Sequence, residues 1–238
     1  MKIIHDCLPD FNERPQNKID TLVFHCSAHS AKNMIDVLRQ KKLSTHYIVD
    51  LNGDIYQTVE DGKRAWHAGV SSWRGVQNIN HTSIGIEISS PSLGQDLYDD
   101  KQIKSLLELS LMLIDKYKIL PTNIVAHSDI APTRKPDPGI AFPWKTLAEH
   151  GVGIWYNLED ARKVNSDNVA ELLLKIGYDI TDLAAAQYAF CRHFLPAVVK
   201  KEADIEELEK HPYPEDFVLP SDFLPVLQAC CYSFTAES

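Results

Sequence analysis

The sequence predicts an α/β domain over residues 1–150, a linker over 151–165 and a small all-helical unit over 166–238. Strand patterns alternate with amphipathic helix patterns up to residue 150, then stop at Gly151-Val152-Gly153. The formal charge of -9 is unevenly divided, with 17 basic and 18 acidic residues up to residue 150, and 7 and 15 beyond it. A chain of 238 residues is long enough for one domain and a small appendage.

The first strand, helix and hairpin have clear local signals. Residues 21–26 (TLVFHC) are apolar and β-branched, which is typical of a buried strand. Residues 31–42 carry apolar side chains at helical spacing, with polar side chains on the other side. Asn52-Gly53 favours a tight turn between antiparallel strands. The two hairpin strands are predicted at 45–50 and 55–59.

A central strand and a long helix follow. In residues 83–89 (SIGIEIS) polarity alternates, so the three isoleucines share one face while Gly85 and Glu87 point the other way. Residues 99–118 have the spacing of a long amphipathic helix. The remaining predictions are a strand at 124–127, a proline-rich loop at 131–143, a helix at 143–150, and helices beyond the linker at 167–176, 181–195, 203–210 and 221–231.

Composition excludes several classes of protein. The net negative charge disfavours binding to nucleic acid, whose phosphates attract basic surfaces. The most apolar stretch, residues 106–114, is interrupted by Glu108 and Ser110 and is too short to span a bilayer. The five cysteines are odd in number and two are adjacent, so no disulfide framework is expected. The first residues lack the apolar core of a secretory signal, which favours the cytoplasm, or the periplasm if an exporting segment has been removed.

Three residues are candidate metal ligands. His25 and His127 each end a predicted buried strand, and Asp137 lies in the proline-rich loop. Two imidazoles and one carboxylate supply three zinc ligands and leave a fourth position for water, as in hydrolytic zinc sites. From spacing alone, the alternative is that each histidine is a hydrogen-bonded residue of the core.

Four other residues suggest chemistry near the same place. Glu87 interrupts an apolar strand, and a carboxylate there is either exposed, paired or a general base beside a metal-activated water. Trp66 and His67 stand between small residues and suit either an aromatic wall of a binding site or ordinary core packing. Lys135 precedes Asp137 by two residues and is, by itself, typical of a solvated loop charge.

Seven segments of the first 150 residues, taken in order, resemble a known enzyme family. They are similar to the zinc-dependent N-acetylmuramoyl-L-alanine amidases of the type 2 amidase family, which is related to the peptidoglycan recognition proteins. The matching segments are 11–15 (FNERP), 22–25 (LVFH), 45–49 (THYIV), 52–57 (NGDIYQ), 64–69 (RAWHAG), 83–87 (SIGIE) and 126–139 (AHSDIAPTRKPDPG). The resemblance implies a central mixed β-sheet flanked by helices.

The resemblance also implies a role for each matching residue. His25, His127 and Asp137 correspond to the zinc ligands, Glu87 to the catalytic carboxylate and Lys135 to a lysine that steadies the oxyanion. The implied residues of the substrate groove are His46, Tyr47, Trp66 and His67. The implied reaction is hydrolysis of the amide between N-acetylmuramic acid and L-Ala of the peptidoglycan stem peptide. The implied cofactor is Zn²⁺, and the substrate is a muropeptide, including 1,6-anhydro forms, or intact peptidoglycan.

The region after residue 165 resembles a three-helix peptidoglycan-binding module found in some of these amidases. The resemblance rests on residues 175–179 (KIGYD) and 190–196 (FCRHFLP). The alternative is a structural appendage packed on the amidase domain. Two alternatives to the amidase function also stand: a recognition module that binds muropeptides without cutting them, and a zinc peptidase that cuts within the stem peptide. We expect a monomer.

Overall fold

The computed structural model describes residues 2–201, 205–214 and 216–237. The strands within them are β1 (Ile3–His5), β2 (Phe11–Glu13), β3 (Thr21–Ser27), β4 (Tyr47–Val49), β5 (Ile55–Gln57), β6 (Lys63–Ala65), β7 (Ser72–Trp73), β8 (Val76–Gln77), β9 (Ser83–Ser89) and β10 (Ile124–Ala126). The helices are α1 (Ala31–Lys41), α2 (Asp100–Tyr117), α3 (His127–Ile130), α4 (Trp144–Glu149), α5 (Val169–Ile176), α6 (Leu183–Phe194), α7 (Ile205–Lys210) and α8 (Phe223–Ala236).

A six-stranded mixed sheet forms the centre of the molecule, in the order β1-β5-β4-β9-β3-β10. β3 runs parallel to β9 and to β10, and β4 runs parallel to β9 but antiparallel to β5. This confirms the predicted fold class, a mixed sheet flanked by helices. Because β3, β9 and β10 are parallel neighbours, their carboxyl ends meet at one edge of the sheet.

The alternation of side chains along β9 determines which of its residues lie on each face of the sheet. Ile84, Ile86 and Ile88 are buried in one core cluster together with apolar residues of α2. The N-terminus of α2 is fixed by a capping box between Asp99 and Gln102, which satisfies backbone donors that the first turn leaves free. The opposite face of β9 therefore presents Gly85 and Glu87.

The apolar core continues from the sheet into the helical region. Val23 of β3, Val125 of β10 and Trp73 of β7 belong to the same buried cluster as residues of α5, α6 and α8. The predicted linker contains a 3₁₀-helix, Leu158–Lys163, which packs against α8. The helical region is therefore joined to the sheet by a shared core, while its division into a separate domain stays a prediction.

Several local predictions differ from the structure. The hairpin connection is five residues long, residues 50–54, against the four residues between the predicted strands. It is closed by backbone hydrogen bonds, in which the Asp50 amide donates to the Asp54 carbonyl and the Gly53 amide to the Asp50 carbonyl, each over 2.9 Å. The described helical region has the four helices predicted from the sequence, one more than the three-helix module that it resembles would have. Residues 203 and 204 of one predicted helix lie outside the described residues. Within the described residues, no helix is both long and apolar enough to span a bilayer.

Candidate functional site

The three candidate ligands come together at the carboxyl edge of the sheet. His25 lies near the end of β3, His127 directly follows β10, and Asp137 reaches them from the proline-rich loop. The Nδ1 atoms of the two histidines are 2.9 Å apart, and Asp137 Oδ2 is 3.3 Å from the Nδ1 of His25 and 3.0 Å from that of His127. Three ligand atoms, carried by β3, by α3 and by the proline-rich loop, therefore converge on one point.

This triangle of atoms has the size of a metal site. In a tetrahedral zinc site with ligands at about 2.0–2.1 Å, neighbouring ligand atoms lie roughly 3.3 Å apart. The observed separations of 2.9 to 3.3 Å fall at or just below that value. Among the residues that the structure describes, this is the group of three or more His, Cys, Asp or Glu side chains placed to hold a metal ion.

Backbone contacts fix the orientation of His127. Its Nε2 lies 3.1 Å from the carbonyl oxygen of Ala68, an acceptor, so Nε2 carries the proton and donates it. The lone pair of Nδ1 is then free to bind a metal. Such a partner on the second ring nitrogen is typical of metal-binding histidines.

A chain of side chains orients His25 in the same way. His25 Nε2 lies 2.9 Å from Nδ1 of His67, and His67 Nε2 lies 3.1 Å from the hydroxyl of Ser83. If His25 binds a metal through Nδ1, its Nε2 proton is donated to His67, whose own Nε2 proton goes to Ser83. Gly85 makes room for this arrangement, because a Cβ there would lie 2.5 Å from the His67 ring.

The loop that carries Asp137 is held by contacts on both sides. The backbone amide of Ser128 donates to the carbonyl of Asp137 over 2.9 Å, and the Tyr98 hydroxyl donates to the carbonyl of Pro138 over 2.7 Å. Gly94 lies so close to the loop that a Cβ there would overlap the Pro138 carbonyl oxygen. The carboxylate is thereby fixed toward the two histidines.

The electrostatics favour the protonation states that a metal requires. Burial, together with the neighbouring His127, lowers the pKa of His25 to about 4, so its imidazole is neutral at neutral pH. Burial alone would raise the pKa of Asp137, but the two histidines outweigh it and hold that pKa well below its ordinary value. A neutral His25 imidazole and an ionised Asp137 carboxylate are the states in which these two side chains bind zinc.

Glu87 lies beside this cluster, paired with His25 in the β3–β9 register. Burial and the negative charge of Asp137 raise its pKa to about 8, while Lys135 opposes the shift. Its Oε2 is buried and has no hydrogen-bond partner among the described residues. A buried carboxylate oxygen without a partner is costly, which indicates that a bound group completes its contacts.

An open cleft of about 480 Å³ leads to the cluster. Glu87, His127 and Asp137 form part of its lining, as do Trp66, His67 and Lys135. The Trp66 indole donates to Asn12 over 3.0 Å, which holds the ring at the wall of the cleft. The structure therefore brings seven of the nine predicted site residues together, since His25 contacts both His67 and His127.

The structure does not bring His46 and Tyr47 to the cleft. His46 is fully buried, accepts the amide of Gly85 on Nδ1 over 3.0 Å and contacts Arg14 through Nε2. The Tyr47 hydroxyl donates to Asp61 over 2.6 Å, on the side of β4 away from the cleft. Both side chains support the sheet that carries the site.

Three supporting residues lie inside segments that resemble the family but carry no signal of their own: Ala68, Ser83 and Asp129, whose carboxylate accepts the amide of Ala126 directly before His127. Ala68 acts through its carbonyl, and Ser83 lies at the start of a strand like many other serines. Asp129 does follow His127 by two residues inside a segment that resembles the family, and this position could have drawn attention to it.

Comparison with known proteins places this geometry in a family. A family model, Amidase_2 (N-acetylmuramoyl-L-alanine amidase), matches residues 15–140, a span that contains every predicted site residue. The N-acetylmuramoyl-L-alanine amidase AmiD of Escherichia coli (strain K12) is 36% identical over 222 residues, covering 79% of this chain and 79% of AmiD.

Solved structures give the same result. The complex of AmiD from E. coli with anhydro-N-acetylmuramic acid-L-Ala-D-gamma-Glu-L-Lys matches with a TM-score of 0.74 and 31% identity, covering 92% of this chain and 89% of that one. AmpDh3 from Pseudomonas aeruginosa in complex with anhydromuramic pentapeptide matches with a TM-score of 0.71 and 30% identity, covering 92% and 93%. Sequence, fold and site agree, and the chain belongs to the N-acetylmuramoyl-L-alanine amidase family Amidase_2.

Proposed function

We propose that this protein hydrolyses the amide bond between N-acetylmuramic acid and L-Ala of peptidoglycan stem peptides, with a zinc ion held by His25, His127 and Asp137. The observation that carries the proposal is the convergence of these three ligands beside a buried carboxylate oxygen of Glu87 that has no partner among the described residues. A recognition module that does not cut its ligand has no need of that carboxylate.

The ligand set fits zinc by its chemistry. Two imidazole nitrogens and one carboxylate oxygen are common ligands of catalytic zinc, which leaves a further position open. When bound, zinc would polarise the scissile carbonyl and lower the pKa of a bound water to about 7. The hydrogen bonds of His25 and His127 to His67 and Ala68 keep each Nδ1 lone pair directed at that ion.

Glu87 is placed to move the proton. As a carboxylate it takes a proton from the attacking water, and as a carboxylic acid it returns that proton to the leaving amine. A pKa near the working pH is favourable for both steps, and burial raises the pKa of Glu87 in that direction. A cation at the neighbouring ligands would draw this pKa down and favour the carboxylate before reaction.

Lys135 is placed to stabilise the negative charge that forms on the carbonyl oxygen. It lines the cleft, and its ammonium charge acts on both Glu87 and His25. A cation aimed at developing charge in a partly water-excluded site contributes strongly to catalysis. Lys135 is in this way the candidate for oxyanion stabilisation.

The cleft suits an anionic peptide. Lys41, Arg134 and Lys135 contribute basic groups to its lining, while the acidic residues in that lining are Glu87 and Asp137, both at the metal cluster. The sugar lactyl group and stem peptide of a muropeptide offer one amide bond to be cut and free carboxylates to be bound. The two relatives solved with ligands hold anhydromuramic peptides, which supports a 1,6-anhydro muropeptide as substrate.

A substitution tests the role of Glu87. Glu87→Gln keeps the shape of the side chain but removes the base, so hydrolysis is expected to fall by about 10²–10⁴-fold. Zinc content and thermal stability are expected to stay at the wild-type level. The matched control is Glu108→Gln, the same chemical change on the exposed side of α2, which should leave activity unchanged. Full activity in Glu87→Gln would overturn the assignment of the base.

The second candidate function is a zinc peptidase that cuts within the stem peptide, since the same ligand set serves both reactions. Product masses distinguish the two. The monomeric state, the cytoplasmic location and the peptidoglycan-binding role of the helical region stay predictions; light scattering, cell fractionation and sacculus pull-down are the measurements that test them.

A further inference from the structure

The short helix α3 links two of the candidate ligands. It begins at His127, directly after β10, and is a single turn long. Its Ser128 amide donates to the carbonyl of Asp137 over 2.9 Å, and the His127 carbonyl accepts the amide of Ala131 over 3.0 Å. The orientation of this one turn therefore sets where both His127 and Asp137 lie.

The carboxylate of Asp129 anchors α3. Its Oδ2 accepts the amide of Ala126 over 2.8 Å, the residue that precedes the ligand His127. The Asp129 side chain is buried, with 1% of the residue exposed. A carboxylate removed from water in this way needs several donors to be stable, and their geometry decides its position.

The other donors to Asp129 come from the helical region. The hydroxyl of Tyr178, two residues after the end of α5, donates to Oδ1 over 2.8 Å. His193 of α6 places its Nδ1 2.8 Å from Oδ2. Two side chains from beyond residue 165 thus complete the contacts of a carboxylate that stands two residues from a candidate metal ligand.

Aromatic packing from the amidase part holds both donors in place. The Tyr178 ring meets Trp73 edge to face, with centroids 5.1 Å apart. The His193 ring stacks on Trp144 at 3.8 Å and 20°. Neither donor can turn away from Asp129 without breaking these contacts.

We propose that Tyr178 and His193 are positioning residues for the metal centre, which act through Asp129 and α3 on His127 and Asp137. The helical region then helps to hold the metal ligands in place, and this role does not depend on whether the region also binds peptidoglycan. This inference rests on the proposed metal site but not on the identity of the bond that is cut.

The test compares variants of the full-length protein by their affinity for zinc, measured by competition with a chromogenic chelator. Tyr178→Phe removes the hydroxyl and keeps the ring, and is expected to weaken zinc binding about 10-fold or more, as loss of an outer hydrogen bond does at other metal sites. The matched control is Tyr156→Phe, a half-buried tyrosine of the same core cluster whose hydroxyl makes no hydrogen bond with any of the described residues. Its zinc affinity should equal that of the wild type.

Two substitutions at His193 separate positioning from packing. His193→Phe keeps an aromatic ring on Trp144 but removes the donor, whereas His193→Asn loses the ring and keeps a donor near the place of Nδ1. If the residue acts through Asp129, the Asn variant binds zinc more tightly than the Phe variant. The opposite order would overturn the inference, and so would wild-type zinc affinity in Tyr178→Phe.

Activity is measured separately, on an anhydromuramoyl peptide at saturating zinc. Weakened zinc binding in Tyr178→Phe together with an inactive wild type would refute the proposed amidase function and leave the positioning role standing. If the wild type is active and none of the substitutions Tyr178→Phe, His193→Phe and His193→Asn changes the affinity for zinc, the amidase function stands and the positioning role is refuted.

Discussion

His67 and Trp66 are neighbours in the chain but have different surroundings. His67 contacts His25 and Ser83, while Trp66 donates to Asn12 at the wall of the cleft. The resemblance to the family assigned both to the substrate groove. Both side chains line the cleft, and the hydrogen bonds indicate that His67 in addition supports a metal ligand, while Trp66 is held at the wall of the cleft.

This difference gives a prediction at the residue scale. His67→Ala removes the partner of His25 Nε2 and is expected to weaken zinc binding about 10-fold or more. Trp66→Ala is expected to leave zinc affinity unchanged and to raise KM for a muropeptide, because it removes a wall of the cleft. Chelator competition and steady-state kinetics measure the two effects. Equal zinc affinities in both variants would contradict the role of His67.

The sequence identified the residues of the site better than their surroundings. His25 and His127 were found because they end apolar strand patterns, and Glu87 because it breaks an alternation. His46 and Tyr47 carried no signal of the side to which they point. Their partners, the Gly85 amide and the Asp61 carboxylate, are distant in sequence, and only the folded chain brings them together.

At the scale of elements, Asp61 joins α2 to the sheet. Its carboxylate accepts hydrogen bonds from Tyr47 of β4 over 2.6 Å, and from Lys116 and Tyr117 of α2 over 2.9 and 2.7 Å. Burial raises the pKa of Asp61, but these donors outweigh it, and the resulting pKa lies below the ordinary value. The ionised form is thus favoured in the folded protein.

The lowered pKa predicts a pH-dependent loss of stability in Asp61→Asn. At neutral pH the free energy of unfolding is expected to fall by about 2 kcal/mol, the usual contribution of hydrogen bonds to a charged group. Since the folded-state pKa is depressed, this contribution is present above the unfolded-state pKa near 4 and is lost as the pH falls through the folded-state value. Urea unfolding at pH 7 and below pH 4 measures the change.

The control for that experiment is Asp115→Asn, on the exposed surface of the same helix. Its ion pair with Lys118 is open to water and is expected to contribute little. A difference between Asp61→Asn and the wild type that does not shrink in acid would show that packing, not charge, is responsible.

The long elements could be predicted from the sequence, as could the short strands β4, β5 and β10, whereas five other short strands could not. β3, β9 and α2 each repeat their pattern over seven or more residues, and their observed bounds lie within one residue of the predicted ones. β1, β2, β6, β7 and β8 are two or three residues long, too short for any period to appear. His127 was expected to end a strand but begins α3, because the Asp129 carboxylate binds the amide that precedes it.

At the scale of the whole molecule, the sheet and the helical region share one buried cluster. Trp73 lies in that cluster with its indole donating to the Thr122 carbonyl over 3.0 Å, and its ring contacts Tyr178 and Phe234 of the helical region. The composition shift near residue 150 predicted two units, but composition does not reveal whether two units bury their apolar surfaces against each other.

The shared core predicts cooperative unfolding. Thermal unfolding of the full chain is expected to show one transition, with the fluorescence of the tryptophans and the far-ultraviolet circular dichroism changing together. Two separate transitions would show that the helical region folds independently and that its contacts with the sheet contribute little to stability.

The most direct measurement is a mass-spectrometric digest of an anhydromuramoyl tripeptide by the purified protein, with and without a chelator. Zinc-loaded protein is predicted to release anhydro-N-acetylmuramic acid and an intact stem peptide that begins with L-Ala. Chelation should stop the reaction and added zinc should restore it. Uncut substrate in the zinc-loaded sample, chelator-resistant release or cleavage inside the stem peptide would contradict the proposed function.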